Sequence, residues 1–443
     1  MAQATDITQA YADQFARLRA SLPGAKDPKL SALREGALAR FAKAGVPTSR
    51  LEDWKYTRFG ALLDAAFEPS SPVVNGIGED AIDALSPALA GGPRLVFVNG
   101  LLRTHLCRFD GLPAGMRVES LSAAPAGLAE ALADRDADAL WSLNGALARD
   151  GAVVTVAKAA AEGDPLHIVH LARPGAGDEA SHTRHMIRIE PGAAATVVES
   201  FFGPDGTTYW SNATCLIRVG RDARLRHFRR QQEGAAGLNR TAVRVELDAG
   251  GAYESFGLFL GGAIGRDEIS VRFAGEGASC TLDGIYLGRG TQHLDCTTRV
   301  VHAVPRCTSH ETYRGVLDDK AHGVFQGLIR VEKQAQKTDA HMLSKTLLLS
   351  DRAAVDAKPE LEILADDVQC SHGATTGDLD PASLFFLRSR GLPEARARAM
   401  LVEAFITQMV EGIGPDTVRA DFTAAASAWS AGGSCGGMTG GRA

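Results

Sequence analysis

The chain lacks most of the features that would name a chemistry at once. It has no Cys-x-x-Cys pair, and its 7 cysteines in 443 residues are an odd number without tight spacing. That argues against a disulfide framework and for a reducing compartment. No Walker A loop occurs, and no Gly-rich dinucleotide fingerprint sits between a strand and a helix, so the chain is not expected to hydrolyse ATP by itself. No apolar run approaches the roughly 20 residues of a membrane span, and none near the N-terminus resembles a signal peptide. Basic residues are not in excess: 47 Lys and Arg stand against 53 Asp and Glu, a net charge of −6, which argues against a general nucleic-acid surface. What remains is ordinary, 45% hydrophobic and 23% charged, enough for two or three cooperative units. A soluble cytoplasmic protein is expected.

Hydrophobic spacing divides the chain into a mostly helical region (1–150), a strand-rich core (151–378), a second helical region (379–431) and a flexible Gly-rich tail (432–443). Ile7, Tyr11, Phe15, Leu18 and Leu22 form one helical stripe, and Leu30, Leu33, Leu38 and Phe41 form another behind an Asp27-Pro28 start. Trp54-Lys55-Tyr56 reads as an aromatic anchor for this helical part. The Pro-, Ser- and Gly-rich stretch from Phe67 to Pro93 reads as a linker, and Leu95 to Leu102 as a hairpin turning at Asn99-Gly100. Ala123–Leu132 and Asp136–Ala148 return to helical spacing. From Ala152 the period becomes two, with short strands bounded by Pro191-Gly192, Asp205-Gly206, Gly250-Gly251, Gly261-Gly262 and Asp283-Gly284. That pattern allows a sandwich, a barrel or a solenoid. Asp380-Pro381 opens the tail helices. Val402, Phe405, Ile406, Met409, Val410 and Ile413 trace one apolar face, and a last helix carries Val418, Phe422 and Trp429.

The chemistry concentrates in Pro359–Asp380, PELEILADDVQCSHGATTGDLD. Alternation makes Glu360 to Ile363 a half-buried strand, and a second extended piece starts at Val368. On that piece Val368, Cys370 and His372 share one face, and Gly373 follows as a relaxed position. Thiolate and imidazole are donors suited to iron–sulfur clusters, zinc and copper. Two donors cannot complete a tetrahedral site, so any metal here has to draw on another part of the chain or another subunit.

This stretch, with Leu347 to Pro359 (LLLSDRAAVDAKP) before it and Ser49 to Thr57 (SRLEDWKYT) near the start, resembles the SufB/SufD family of the SUF iron–sulfur cluster assembly system, on its SufD side. The resemblance covers the middle and the C-terminal helices and weakens in the N-terminal third. It implies a right-handed parallel β-helix core and a non-catalytic scaffold subunit. It also implies pairing with SufB, docking of the SufC ATPase on the C-terminal helices, and ATP used only through SufC. His372, with Cys370 second, would help hold iron or a transient cluster at the SufB interface, and Phe405 and Met409 are candidates for SufC contact. A homodimer is possible for the isolated chain. A SufB-type scaffold is the nearest alternative, disfavoured by the missing Cys-rich N-terminal motif.

Other constellations carry blander expectations. His182, His185, His302, His310, His322 and His341 lack metal spacing and are expected to be solvated, as is the basic run Arg224, Arg226, Arg229 and Arg230. Gly432 to Gly436 matches G-x-S-x-G but has no strand before it and no His after it. A reading from a different class uses Glu360, Glu362, Asp366 and Asp367 as acid–base groups of a β-solenoid enzyme acting on a polysaccharide. Asp366-Asp367 lies in a turn signal and aromatics make up only 6%, both against it.

Overall fold

A computed structural model describes residues 2–64, 66–72, 76–133, 138–175 and 178–432 of the chain. Two ten-stranded sheets face each other, and each coil of the backbone gives one strand to each. One sheet runs from Met116–Ser120 through Ala152–Val156 and six more strands to Ala354–Ile363, with Glu68–Pro69 as its tenth strand off this path. The other runs from Leu101–Leu102 and Arg94–Val98 to Gln369–Gly377. From Leu166 onward every pairing within the sheets is parallel and joins residues about one coil apart, as in Thr308↔Asp339 and Asp339↔Gln369. The result is a parallel β-solenoid of about eight turns. Inward positions of both sheets form one continuous apolar core, from Leu95 and Phe97 through Val197, Val245, Leu282 and Phe325 to Ala340 and Met342.

Turn chemistry sets several boundaries. Val98↔Leu101 closes an antiparallel hairpin in which Asn99 (φ 53°) and Gly100 (φ 74°) both lie in the left-handed region, as a type I′ turn requires. Asp283-Gly284 was expected to end a strand but sits inside one, Ser279–Gly288. The glycine serves packing there: a Cβ on Gly284 would lie 2.5 Å from the Tyr313 ring of the next coil. Gly373 likewise continues an extended strand, opposite Leu343.

The helices pack on the outside of the solenoid. Ala2–Leu18 and Pro28–Ala44 bury Ile7, Tyr11, Phe15, Leu30, Ala37 and Phe41, and Asp27 caps the second by accepting from Lys29 N (2.8 Å) and Leu30 N (3.3 Å). Ala139–Leu147 is wholly buried and is capped by Asp138; the expected start at Asp136 lies outside the described residues. The expected linker contains two short helical pieces, Glu79–Asp83 and Pro87–Leu89, and a strand Glu68–Pro69 that pairs with Glu179–Ile189.

Trp54 is buried, with the Arg266 guanidinium 4.1 Å above its ring, so the segment anchors the N-terminal part to the solenoid as expected. The three last helices, Pro381–Ser389, Glu394–Val410 and Asp416–Ser430, follow the solenoid, the first capped by Asp380. The latter two lie along the flank of a sheet and not over the solenoid's end. Val402, Ile406, Val410, Phe422 and Trp429 pack on Val198, Phe228, Phe256, Ile285 and Val316. The tail from 433, with most of the G-x-S-x-G match, lies outside the described residues.

Candidate functional site

Because the helices take the flank, the last coil has nothing over it among the described residues. Ala354–Ile363 and Gln369–Gly377 are the terminal strands of their sheets, each hydrogen-bonded on one side only. Ile363 is 40% and Leu364 53% exposed, although Ile363 continues the inward row of the buried Val331. The chain therefore ends its solenoid with two unpaired strand edges and an open apolar mouth.

Cys370 and His372 sit at this mouth. Cys370 pairs in register with Ala340 and His372 with Met342, both buried core residues, so the two donors continue an inward row at the point where the next coil is missing. Val368 and Cys370 are half-buried against the core, while His372 is exposed. Burial, and then the Asp339 carboxylate, push the Cys370 thiol up, so it stays protonated until a metal or a cationic partner arrives. Ser371 points to the outer face, where His341 reaches its hydroxyl at 2.6 Å and Asp339 at 2.7 Å, and the His341 ring stacks on His310 at 5.4 Å. Among the described residues no group of three or more His, Cys, Asp or Glu side chains could hold a metal ion. The donor set of the mouth is two, a thiol and an imidazole.

Three buried cysteines offer no substitute. Cys215, Cys280 and Cys296 lie inside the solenoid with thiols pushed well up by burial. The six described cysteines are all free.

Several side chains expected in solvent are inside. His182, His185 and His302 are buried. His182 meets Asn212 at 3.1 Å and His302 meets Ser309 at 2.9 Å, so these are hydrogen-bonded interior groups. Burial pushes His182 down to about 3 and His302 to about 4, which keeps both neutral. The basic run splits by strand parity. Arg224 and Arg226 face outward near Glu254, whereas Arg229 points inward to Asp267 at 3.0 Å. Arg230 is buried under the last helix, 2.8 Å from Asp421. Inward alternation was legible in the sequence; that some inward positions carry charge was not.

Phe405 and Met409 are half-buried against the sheet flank, with Arg314 4.9 Å over the Phe405 ring and donating to its carbonyl at 2.6 Å. The helix before them carries two aromatics that the periodicity reading passed over: Phe385 and Phe386 are 74% and 56% exposed. The four carboxylates weighed for acid–base work do not converge. Glu360 pairs with Lys358 at 3.0 Å, Glu362 with Arg330 at 3.3 Å and Asp367 with Lys337, while Asp366 is exposed.

Comparison with known proteins places this geometry. The profile of the SufBD protein N-terminal region matches residues 5–168, and that of the SUF system FeS cluster assembly SufBD core domain matches 172–405. The iron–sulfur cluster assembly protein SufD of Escherichia coli is 31% identical over 88% of this chain and 90% of its own. An iron–sulfur cluster assembly SufBD family protein of Synechocystis is 27% identical over 90% and 91%, and SufD of Bacillus subtilis 26% over 64% and 65%. No described helix is long and apolar enough to cross a membrane. With matches running from residue 5 to residue 405, the chain belongs to the SufBD family of iron–sulfur cluster assembly proteins and is SufD-like within it.

Proposed function

We propose that the chain is a non-catalytic scaffold of a cytoplasmic SUF complex. In this reading its open solenoid end pairs with SufB and its C-terminal helices dock the SufC ATPase. Cys370 and His372 supply half of a coordination sphere for iron or a nascent cluster, which is cargo of the complex. The observation that carries the reading is the last coil: two unpaired strand edges around an apolar mouth, with two metal donors and, among the described residues, no third ligand grouped with them. Exposed edges of this kind pair with another chain or need protection. Two donors need a partner's ligands to close a site.

SufC docking is read onto Phe385 and Phe386, exposed on the helix that leaves the mouth, with Phe405 and Met409 contributing at most their outer rims. The test is co-expression with SufB and SufC and recovery through a tag on this chain. Ile363→Lys, which puts a charge on the mouth, is expected to lose SufB and keep the fold by circular dichroism. Phe385→Ser with Phe386→Ser is expected to lose SufC. Recovery of both partners with all three substitutions present would contradict the assignment of both surfaces.

A further inference from the structure

Two imidazoles on the outer face of a sheet turn bare nitrogens toward each other. His293 and His322 are register partners on the adjacent strands His293–His302 and His322–Val331, and their Nδ1 atoms are 3.0 Å apart. The inward rows of these strands pass through Leu294 and Phe325, so alternation puts both rings on the outer side. Cys370 and His372 continue inward rows of the other sheet and take no part here.

The far nitrogen of each ring decides what the near one can do. A carboxylate only accepts, so His322, 2.8 Å from Asp356 Oδ2, carries its hydrogen on Nε2. Thr57 gives its single hydrogen to Asp295, which is ion-paired with Arg266. The Thr57 oxygen then accepts from His293 Nε2 at 2.8 Å. With that hydrogen placed on each neutral ring, both Nδ1 atoms present lone pairs to the same point. Burial pushes His293 down to about 4, which keeps it in the neutral form that a metal ion needs. Metal-binding histidines are held in this way, the second nitrogen donating to a carboxylate or another oxygen acceptor.

We propose that His293 and His322 hold a divalent first-row metal ion of nickel type between their Nδ1 atoms, with Asp356 and Thr57 orienting the two rings. At a metal–nitrogen distance of about 2.1 Å, a right angle at the metal spans about 3.0 Å and a tetrahedral angle about 3.4 Å. The edge between the two Nδ1 atoms is the right-angled one, found between neighbouring corners of a square or octahedral sphere. Ni2+ and Cu2+ prefer such spheres with nitrogen and oxygen donors. Among the described residues no third His, Cys, Asp or Glu joins the pair in a metal-holding group, so water or a small ligand fills the remaining positions. The His322 side chain is a third exposed and gives the ion its way in. Bound there, the ion joins two coils and, through Thr57, the N-terminal segment that buries Trp54. The site uses neither donor of the mouth and needs neither SufB nor SufC.

The test is calorimetric titration of the tag-free full chain with Ni2+ and, separately, Mn2+, in a background of Cys370→Ser and His372→Ala that removes the donors of the mouth. One equivalent of Ni2+ is expected to bind, at least about tenfold more tightly than Mn2+, because imidazole favours nickel and manganese prefers oxygen. His322→Phe is expected to abolish that equivalent. Asp356→Ala leaves both ligands in place and is expected to weaken binding by about 10–100-fold. Circular dichroism checks the fold of each variant, and Asp356→Ala serves alone if His322→Phe does not fold. Absence of the Ni2+ equivalent from the background chain, its persistence in His322→Phe, or an unchanged affinity in Asp356→Ala would overturn the proposal. So would Mn2+ binding as tightly as Ni2+, which would point to carboxylate oxygens instead of the two imidazoles.

Discussion

At the scale of single residues, Cys370 and His372 differ in what holds them. Register with Ala340 and Met342 aims both inward, but only Cys370 has neighbours that desolvate it. His372 stands in solvent until something covers the mouth. Deeper in the solenoid, Glu311 is buried, and burial pushes its carboxyl up to about 7. A carboxyl raised in the folded state contributes most when it is protonated. Its contribution is full below the unfolded value near 4.3 and is lost as pH rises through 7. Glu311→Gln is therefore expected to stabilise the fold at pH 8 by on the order of 3 kcal/mol, with the difference vanishing by about pH 4, as read by urea denaturation at both pH values. The parity that faces Cys370 inward could be read from alternation alone. The burial of His182, His302, Arg229 and Arg230 could not, because a two-residue period says which side a residue takes and not which side is dry.

At the scale of elements, most starts and stops follow local chemistry that the sequence displays. Asp27 and Asp380 cap their helices and Asn99-Gly100 makes its turn. Asp27→Ala is expected to cost about 1 kcal/mol in the same denaturation measurement. What local chemistry could not display is where elements go. Nothing in the apolar stripe of Glu394–Val410 says whether it covers the end of the solenoid or its side. That was decided by an outward apolar row, Val198, Phe228, Phe256, Ile285 and Val316, contributed by five separate coils. The Asp283-Gly284 pair misled for the converse reason, since its glycine answers to Tyr313 one coil away. Trp54 joins two elements distant in sequence by lying under Arg266. Trp54→Ala removes that packing and is expected to destabilise the protein by about 3–5 kcal/mol, with faster proteolysis within residues 45–60 if the segment is what it anchors.

At the scale of the whole molecule, the solenoid is closed along its flanks and open where the donors are. At the other end the first coils are covered: Val153 and Met186 pack with Leu128 and Leu132, and Val96 and Val98 with Ile82. The long flank carries two helices, and among the described residues the last coil carries none. A monomer left in this state exposes two sheet edges and an apolar mouth, features that favour association over solitude. In the proposed association Cys370 and His372 would stand at a junction between chains, where a partner's thiolates would complete what these two donors leave open.

The most direct test of that claim is the iron and acid-labile sulfide content of the assembled complex with SufB and SufC, purified without oxygen, for the wild type and His372→Ala. The account predicts intact assembly with most of the bound iron lost in the variant, and a smaller loss for Cys370→Ser. Undiminished iron and sulfide in a fully assembled His372→Ala complex would contradict it.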